Sequence, residues 1–362
     1  MTETQTSGPL DGVRVIDLTT MVLGPFATQT LGDMGADVVK IEAPVGDATR
    51  QIGPGRTPGM GAYFANANRN KRSVVLDLKR PGPRAALGRL IDGADVFVHN
   101  MRLGAAARLG LDYPPLAARN PRLIHACATG FRADSTRREA PAFDDLIQGM
   151  SGVATLNAGP DGPRYLPTVA ADKLAGQMLA SMIGMALFAR ERTGRGQAVH
   201  VPMLETMLNF LLVEHLWGAT INQPELGLGY PRMRTPHRRP YATKDGYISV
   251  ICVSDEQWRR TFAAIGRPAL IEDSRFATIA ARTANVDAVY AVLTEAMTAR
   301  TTAEWLAILT ELDIPCGATA SLPDLLQDAY LRETGFFQTR EHPLEGTVVT
   351  TAIPATFSDT PP

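Results

Sequence analysis

Cysteine is scarce in this 362-residue chain, and Cys127, Cys252 and Cys316 stand far apart in apolar settings. An odd count without paired spacing excludes a disulfide framework and reads as reduced, buried thiols in a cytosolic protein. Lysine is nearly as rare, with five residues against 31 arginines, a ratio that GC-rich coding explains without function. The formal net charge is −1, so the basic excess that nucleic acid or an anionic membrane surface demands is missing. Only the stretch around 174–189 approaches an 18-residue charge-free apolar run. It carries Gly, Gln and Ser and closes on Arg190-Glu191-Arg192, so a core helix is expected rather than a membrane span. The polar start MTETQTSGPLDG has no basic-then-apolar signal pattern.

Common chemical motifs are missing too. No Lys follows a Gly, which removes the P-loop, and Gly53-Pro54-Gly55-Arg56-Thr57-Pro58-Gly59 has the wrong spacing and place for a dinucleotide fingerprint. Gly149-Met150-Ser151-Gly152-Val153 misses the nucleophile elbow by its last glycine. The six histidines sit singly, without acidic neighbours at metal spacing, so no metal and no resident cofactor is expected.

What is present is alternation. Val13–Leu18, Asp37–Ile41, Ser73–Leu78, Asp95–Val98 and Arg122–Cys127 read as strands, and helical patterns at Gly24–Gly35 and Pro81–Gly93 come between. Such alternation indicates βαβ units and a parallel sheet. The Gly/Pro-rich stretch IGPGRTPGMGAYFANANRNKR is too long for a plain connection and reads as a binding loop. Residues 173–190 form a helix apolar nearly all round, followed by strand-like Gln197–Val201 and a helix at about 203–219. After a Gly/Pro/Arg-rich linker, a second unit starts at Gly246–Ile251, with helices near 255–265, 284–299 and 302–312; Thr301 and Glu304 are spaced as a capping box. The 45 or so residues after Gly317 are too few for a third domain and are expected to pack back on the first.

With nucleophilic triads and metals set aside, a carboxylate remains. Asp172 stands in the first turn of the 173–190 helix. It is either a cap for orphan N–H groups or an already ionised nucleophile whose neighbouring N–H groups hold an oxyanion. Two basic patches, Asn68–Ser73 with Lys79 and His99–Gly104 with Arg108, are either solvated charge or a site for a ligand with several phosphates at the carboxyl edge of the sheet.

Pro9-Leu10-Asp11-Gly12-Val13-Arg14-Val15, Gly32-Asp33-Met34-Gly35-Ala36-Asp37-Val38-Val39-Lys40-Ile41-Glu42, Asn70-Lys71-Arg72-Ser73, Gln148-Gly149-Met150-Ser151-Gly152 and Glu191-Arg192-Thr193-Gly194-Arg195-Gly196-Gln197 together resemble the class III CoA-transferase family. That family includes formyl-CoA and carnitine CoA-transferases and α-methylacyl-CoA racemases, and the likeness runs almost end to end. It implies an α/β fold: a Rossmann-like large domain built from both chain ends plus a smaller α+β domain. Residues 1–205 would be the first part of the large CoA-binding domain, 206–229 a linker, 230–318 the small domain, and 319–362 a linker and return. Two cytoplasmic subunits would interlock as rings.

The resemblance further implies that Asp172 is the covalent nucleophile, passing CoA from an acyl-CoA to a carboxylic acid through aspartyl anhydride and aspartyl–CoA intermediates. Thr20, Met21 and Val22 would line the acyl site. Leu76, Leu78 and Lys79 would hold the adenine end of CoA, and Asn100, Met101, Arg102 and Arg108 its phosphates and pantetheine. CoA is then a substrate, with no cofactor bound permanently. The chain also departs from its relatives. Phe143 replaces the racemase histidine, and Ala242 stands near a second racemase carboxylate, so two-base α-carbon chemistry lacks its groups. Val22 replaces a glutamine of formyl-CoA transferases, and Thr235–Tyr241 replaces their glycine-rich loop, which argues for an acceptor larger than oxalate. Ala43 takes the place of an arginine near the CoA phosphates, with Lys40 or Arg69 as substitutes. A racemase of the same family, or a CoA-binding protein without turnover, is the alternative.

Overall fold

Six short strands form one wholly parallel sheet: β1 (Arg14–Leu18), β2 (Asp37–Glu42), β3 (Lys71–Val75), β4 (Val96–His99), β5 (Ile124–Thr129) and β6 (Ala198–Pro202). Their order is β3-β2-β1-β4-β5-β6. This is the order of a doubly wound sheet, with its reversal between β1 and β4. A computed structural model of the protein describes residues 8–362, and the polar start at 1–7 lies outside the described residues.

The helices are α1 (Leu23–Asp33), α2 (Ala62–Ala67), α3 (Pro81–Asp92), α4 (Leu103–Arg108), α5 (Tyr113–Arg119), α6 (Asp144–Ser151), α7 (Val153–Leu156), α8 (Ala170–Thr193) and α9 (Met203–His215). Strand residues point alternately to the two faces of the sheet. Val15, Val38, Val96 and Val98 join α1 and α8 in one buried layer. Ile16, Val39, Ile41 and Phe97 join α3, α4 and α5 in another. Burial on both faces is why these strands are nearly continuous apolar runs.

α8 packs along α1 because Gly176 leaves room: a Cβ there would stand 2.7 Å from the Leu23 carbonyl oxygen. Gly24 serves the turn between β1 and α1 in the same way, its missing Cβ sparing the Thr19 side chain. One face of α8, with Ala175, Leu179, Ile183 and Ala186, is buried, although the all-round apolar pattern predicts burial on every side. The opposite face is open in the single chain, Met185 being 63% and Phe188 66% exposed. No described helix is long and apolar enough to cross a membrane.

The chain divides into one unit formed by its N-terminal part up to Leu211 together with Glu333–Pro362, and a second, Leu212–Arg332. In the first, the hairpin β10 (Phe337–His342)–β11 (Gly346–Thr351) rests on the 50s loop. There the N–H groups of Arg56 and Thr57 donate to the Glu345 carboxylate at 2.6 and 2.8 Å. The segment Glu333–Pro362 thus packs on the first unit.

The second unit holds α10 (Pro231–Arg234), α11 (Asp255–Ala264), α12 (Ile279–Ala284), α13 (Val286–Ala296), α14 (Thr302–Glu311) and a three-stranded antiparallel sheet of β7 (Tyr241–Ala242), β8 (Tyr247–Val250) and β9 (Cys316–Ala318). Trp258, Phe262, Tyr290 and Trp305 build its core. The Thr301/Glu304 capping box is present, and Ser254/Gln257 adds a second.

Three boundaries differ from the sequence reading. β3 starts at Lys71 rather than Ser73, because Lys71 and Arg72 pair with Val38 and Val39 of β2. The stretch read as one long loop contains α2, whose Phe64 lies 3.7 Å beneath the Arg50 guanidinium. The helix expected to run to 219 ends at His215 and passes into a 3-10 turn at Trp217–Ile221.

Candidate active site

The segment after β1 lies at the strand-order reversal, where ligands of open α/β sheets bind, and it is anchored from below by buried ion pairs. Asp17, fully buried, accepts from the Thr19 N–H at 2.9 Å, the Thr28 hydroxyl at 2.6 Å and Lys71 Nζ at 3.1 Å. Burial pushes the Asp17 carboxyl up, but the charges of Lys71 and Lys40 and the Thr19 and Thr28 hydrogen bonds outweigh it and hold it at about 2. Lys40 Nζ donates to the Thr19 carbonyl at 2.8 Å and to Asp47 at 3.0 Å, both ends of that pair being buried. Asp47 in turn accepts from the Met21 N–H at 3.4 Å. Asn100, one residue beyond β4, accepts from the Thr20 N–H at 3.0 Å and donates to its carbonyl at 2.8 Å. Met21 is thereby held at φ 68°, a left-handed conformation a long side chain rarely adopts.

Asp172 is the third residue of α8, half-buried, and its carboxylate has no hydrogen-bond partner among the described residues. It shares a helix face with Gly176, one turn on, whose neighbours are Leu23, Phe26 and Ala27 of α1. It is not the helix cap. Asp144 fills that role from α6, its Oδ1 accepting from the Asp172 N–H at 3.0 Å while its Oδ2 accepts from Gln148 Nε2 at 2.5 Å. The Ala170 and Lys173 N–H groups are engaged by the carbonyls of Thr168 and Val169, so the expected oxyanion donors of this turn are largely occupied. Burial, assisted by the Asp144 charge, raises the Asp172 carboxyl from the ordinary 3.8 to about 7. The expectation of an unperturbed carboxylate is thus overturned: a half-buried acid beside another carboxylate, with no cation on it, resists ionisation. Tyr63 of α2 faces the same pair, its hydroxyl raised by burial and by the charges of Asp172 and Asp144. Asp144, Gln148 and Tyr63 escaped the sequence reading as site residues. The Asp144/Gln148 spacing of four on one helix was the available signal.

The other expected residues fall at the same carboxyl edge of the sheet. Thr20 meets Asn100 directly, through two hydrogen bonds, and Met21 and Val22 follow it in the chain. Val22, however, is only 5% exposed and offers little surface to an acyl group. Met101, Leu76 and Leu78 pack partly on the layer under β4 and β3. Arg102, Arg108 and Lys79 are exposed, and among the described residues none of them holds a carboxylate. The Asn68–Ser73 patch is different. Arg69 is bound to Asp33, Lys71 to Asp17 and Arg72 to Asp37. Its cations are spent on the protein itself, which removes the patch as an anion site, and neither Arg69 nor the buried Lys40 is free to replace the arginine missing at Ala43. A cleft of about 840 Å³ lies elsewhere in this unit, between residues such as Arg50, Phe64 and Arg69 and the C-terminal hairpin; Asp172 does not line it.

The model of "CoA-transferase family III" matches residues 10–362. The chain belongs to this family. An acetyl-CoA:oxalate CoA-transferase of Acetobacter aceti is 37% identical over 350 residues, covering 92% of this chain and 86% of that protein. The succinate–glutarate CoA-transferase of Agrobacterium fabrum is 33% identical, covering 98% and 90%. Among solved structures, an aspartate-to-alanine variant of Rv3272 from Mycobacterium tuberculosis superposes with a TM-score of 0.85 at 30% identity, covering 98% of this chain and 94% of that one. A CaiB/BaiF family protein from Brucella suis gives 0.80 at 33%, with the same coverage. The protein is a class III CoA-transferase with the mixed α/β fold of those structures.

Within the family, Phe143 precedes Asp144 on this chain and is 68% exposed, so no imidazole stands beside the two carboxylates from that position. The ion pairs under the β1 segment carry a stability consequence. Replacing Lys71 by Met leaves Asp17 buried without its cation and is expected to cost about 3–5 kcal/mol. Asp17 and Glu42 both sit at about 2, below their ordinary 3.8 and 4.5. Their contribution is therefore complete above pH ~5 and lost as pH falls toward 2. Chemical denaturation of both proteins across that range checks the magnitude and the sign.

Proposed function

We propose that the protein transfers CoA from an acyl-CoA to a carboxylic acid with Asp172 as covalent nucleophile. The observation that carries this reading is a half-buried carboxylate in the first turn of α8, unpartnered among the described residues, on the helix face that packs on the start of α1. An Asp172 oxygen attacks the donor thioester carbonyl, and CoA thiolate leaves, giving a mixed anhydride. The thiolate then attacks the aspartyl carbonyl and expels the donor acid as its carboxylate, leaving an aspartyl–CoA thioester. The acceptor carboxylate attacks that thioester, releasing thiolate and forming a second anhydride. Thiolate attack on the acceptor's acyl carbon yields the new acyl-CoA and frees Asp172. No proton is gained or lost overall, and no metal or resident cofactor takes part.

The raised Asp172 value of about 7 fits this sequence. It makes the carboxylate a stronger nucleophile than an ordinary one. Thr20, Met21 and Val22 are assigned to the acyl site. Leu76, Leu78, Lys79, Asn100, Met101, Arg102 and Arg108 are assigned to CoA, the unpaired cations among them suiting its phosphates. Because Val22 is buried, the argument against oxalate rests on Met21 and the Thr235–Tyr241 segment alone. Oxalate and glutarate, named in two relatives, are the acceptors to try first. The open face of α8 with Met185 and Phe188 is assigned to a second copy of the chain, in an interlocked homodimer. Buried Cys127, its thiol pushed up to about 12 by burial, suits a cytoplasmic enzyme.

Three outcomes are expected. Asp172→Asn abolishes CoA exchange and the covalent adduct that mass spectrometry of the intact wild-type protein detects with acyl-CoA. It also removes a stability slope: the folded value lies above the unfolded 3.8, so wild-type stability falls as pH rises from about 4 to about 7, and the variant's does not. Exchange at the wild-type rate would sink the mechanism. Arg102→Ala weakens CoA about ten- to a hundredfold by isothermal titration; unchanged affinity places CoA elsewhere. Analytical ultracentrifugation returns a dimer mass, and a monomer at micromolar concentration refutes the second copy.

A further inference from the structure

Asp144 is 6% exposed and Gln148 fully buried, yet no cation neutralises Asp144 among the described residues. Its two oxygens are each committed, one to the Asp172 N–H and one to Gln148 Nε2. Gln148 cannot turn its amide over, because Nε2 also donates to the Thr168 carbonyl at 3.0 Å while Oε1 accepts from the Leu166 N–H at 2.8 Å. The Gln148 amide thus ties the extended 166–168 segment, α6 and the start of α8 into one unit. Only a group with two acceptors and no donor fits between Gln148 and the α8 N–H, and a carboxylate meets that description where an amide does not. A charge buried without a cation is costly. A neutral cap of one acceptor would hold the helix at less cost, so capping alone does not account for it.

We infer that Asp144 is a positioning residue for Asp172: held by Gln148, it fixes the first turn of α8 and sets its own carboxylate behind that of Asp172. The groups facing Asp172 are Asp144 on α6 and Tyr63 on α2. On its own helix, Lys173 is turned away to the Thr168 hydroxyl at 2.7 Å. Among the described residues Asp144 is therefore the charge acting on Asp172 from a neighbouring element, and it acts against ionisation. This inference rests on Asp172 being the nucleophile.

The test is the pH profile of CoA exchange. The acid limb of wild-type enzyme, reporting Asp172 ionisation, has its midpoint near 7. Asp144→Asn removes the charge and moves that midpoint about one unit toward acid, so that activity at pH 6, relative to each enzyme's own plateau, rises severalfold. Asp144→Ser, which is smaller, makes the same change if the Asn amide clashes with that of Gln148. Asp144→Glu keeps a charge and keeps the midpoint. A merely structural Asp144 would lower the plateau in all three variants and leave the midpoint in place. That outcome, in a folded variant still forming the Asp172 adduct, overturns the inference alone. Adduct formation and exchange that survive in Asp172→Asn overturn the underlying mechanism and the inference with it.

Discussion

The lattice of Asp17, Lys71, Lys40 and Asp47 beneath the carboxyl ends of β1 and β2 is the constraint on which the site depends. Four charges are taken out of water there, and each is matched by an opposite charge or by backbone oxygens. Its yield is geometry more than stability. Lys71 ties β1 to the Pro25 carbonyl of α1 at 2.8 Å and to Asn68 at 2.9 Å, and Lys40 and Asp47 grip Thr19 and Met21. A segment at the reversal of strand order is otherwise free to move, because no partner strand pairs it. Here it is held rigidly enough to keep Met21 in a left-handed conformation. Lys71 itself titrates low, at about 8, chiefly from burial. The Asp17 and Lys71 shifts thus assign the pair different net effects. The geometry, a 3.1 Å contact with both groups out of water, supports an ion pair whose desolvation cost falls mainly on the lysine.

A second pair of carboxylates is managed in the opposite way. Asp144 is surrounded by donors and Asp172 by none, although they meet across a single backbone N–H. The two environments thus treat the same chemical group differently: one carboxylate is held by donors, the other is left hard to ionise. Phe143, the residue before Asp144, is 68% exposed and brings no imidazole to the pair. The same geometry explains why the helix N-terminus does not simply neutralise Asp172. Its first-turn N–H groups are already engaged by Thr168, Asp144 and Val169.

The parallel sheet and the core helix were legible before folding was considered, because each rests on periodic burial that residue patterns record directly, whereas the strand order was not. Gly24 and Gly176 are sequence features whose reason appears only when Thr19 and the Leu23 carbonyl are seen against them. Less legible was the division of the basic residues. Lys71, Arg72 and Arg69 look the same on paper as Arg102 and Arg108. The first group meets Asp17, Asp37 and Asp33 through contacts 35 to 54 residues distant in the chain, and no local pattern reports such partners.

Asp172 shows where the boundary lies. The sequence by itself determined that a carboxylate stands in the first turn of a long apolar helix within a doubly wound domain of CoA-transferase family III, because helix periodicity and family motifs are local and ordered. Whether that carboxylate caps the helix or faces a substrate was open, since either role places an Asp within the first turn. Tertiary structure ruled out the cap by bringing Asp144 from α6 onto the Asp172 N–H, which left the Asp172 side chain unpartnered among the described residues and hard to ionise. Desolvation and like-charge proximity depend on what surrounds a residue in space, and 28 residues of intervening chain hide that neighbour from the sequence.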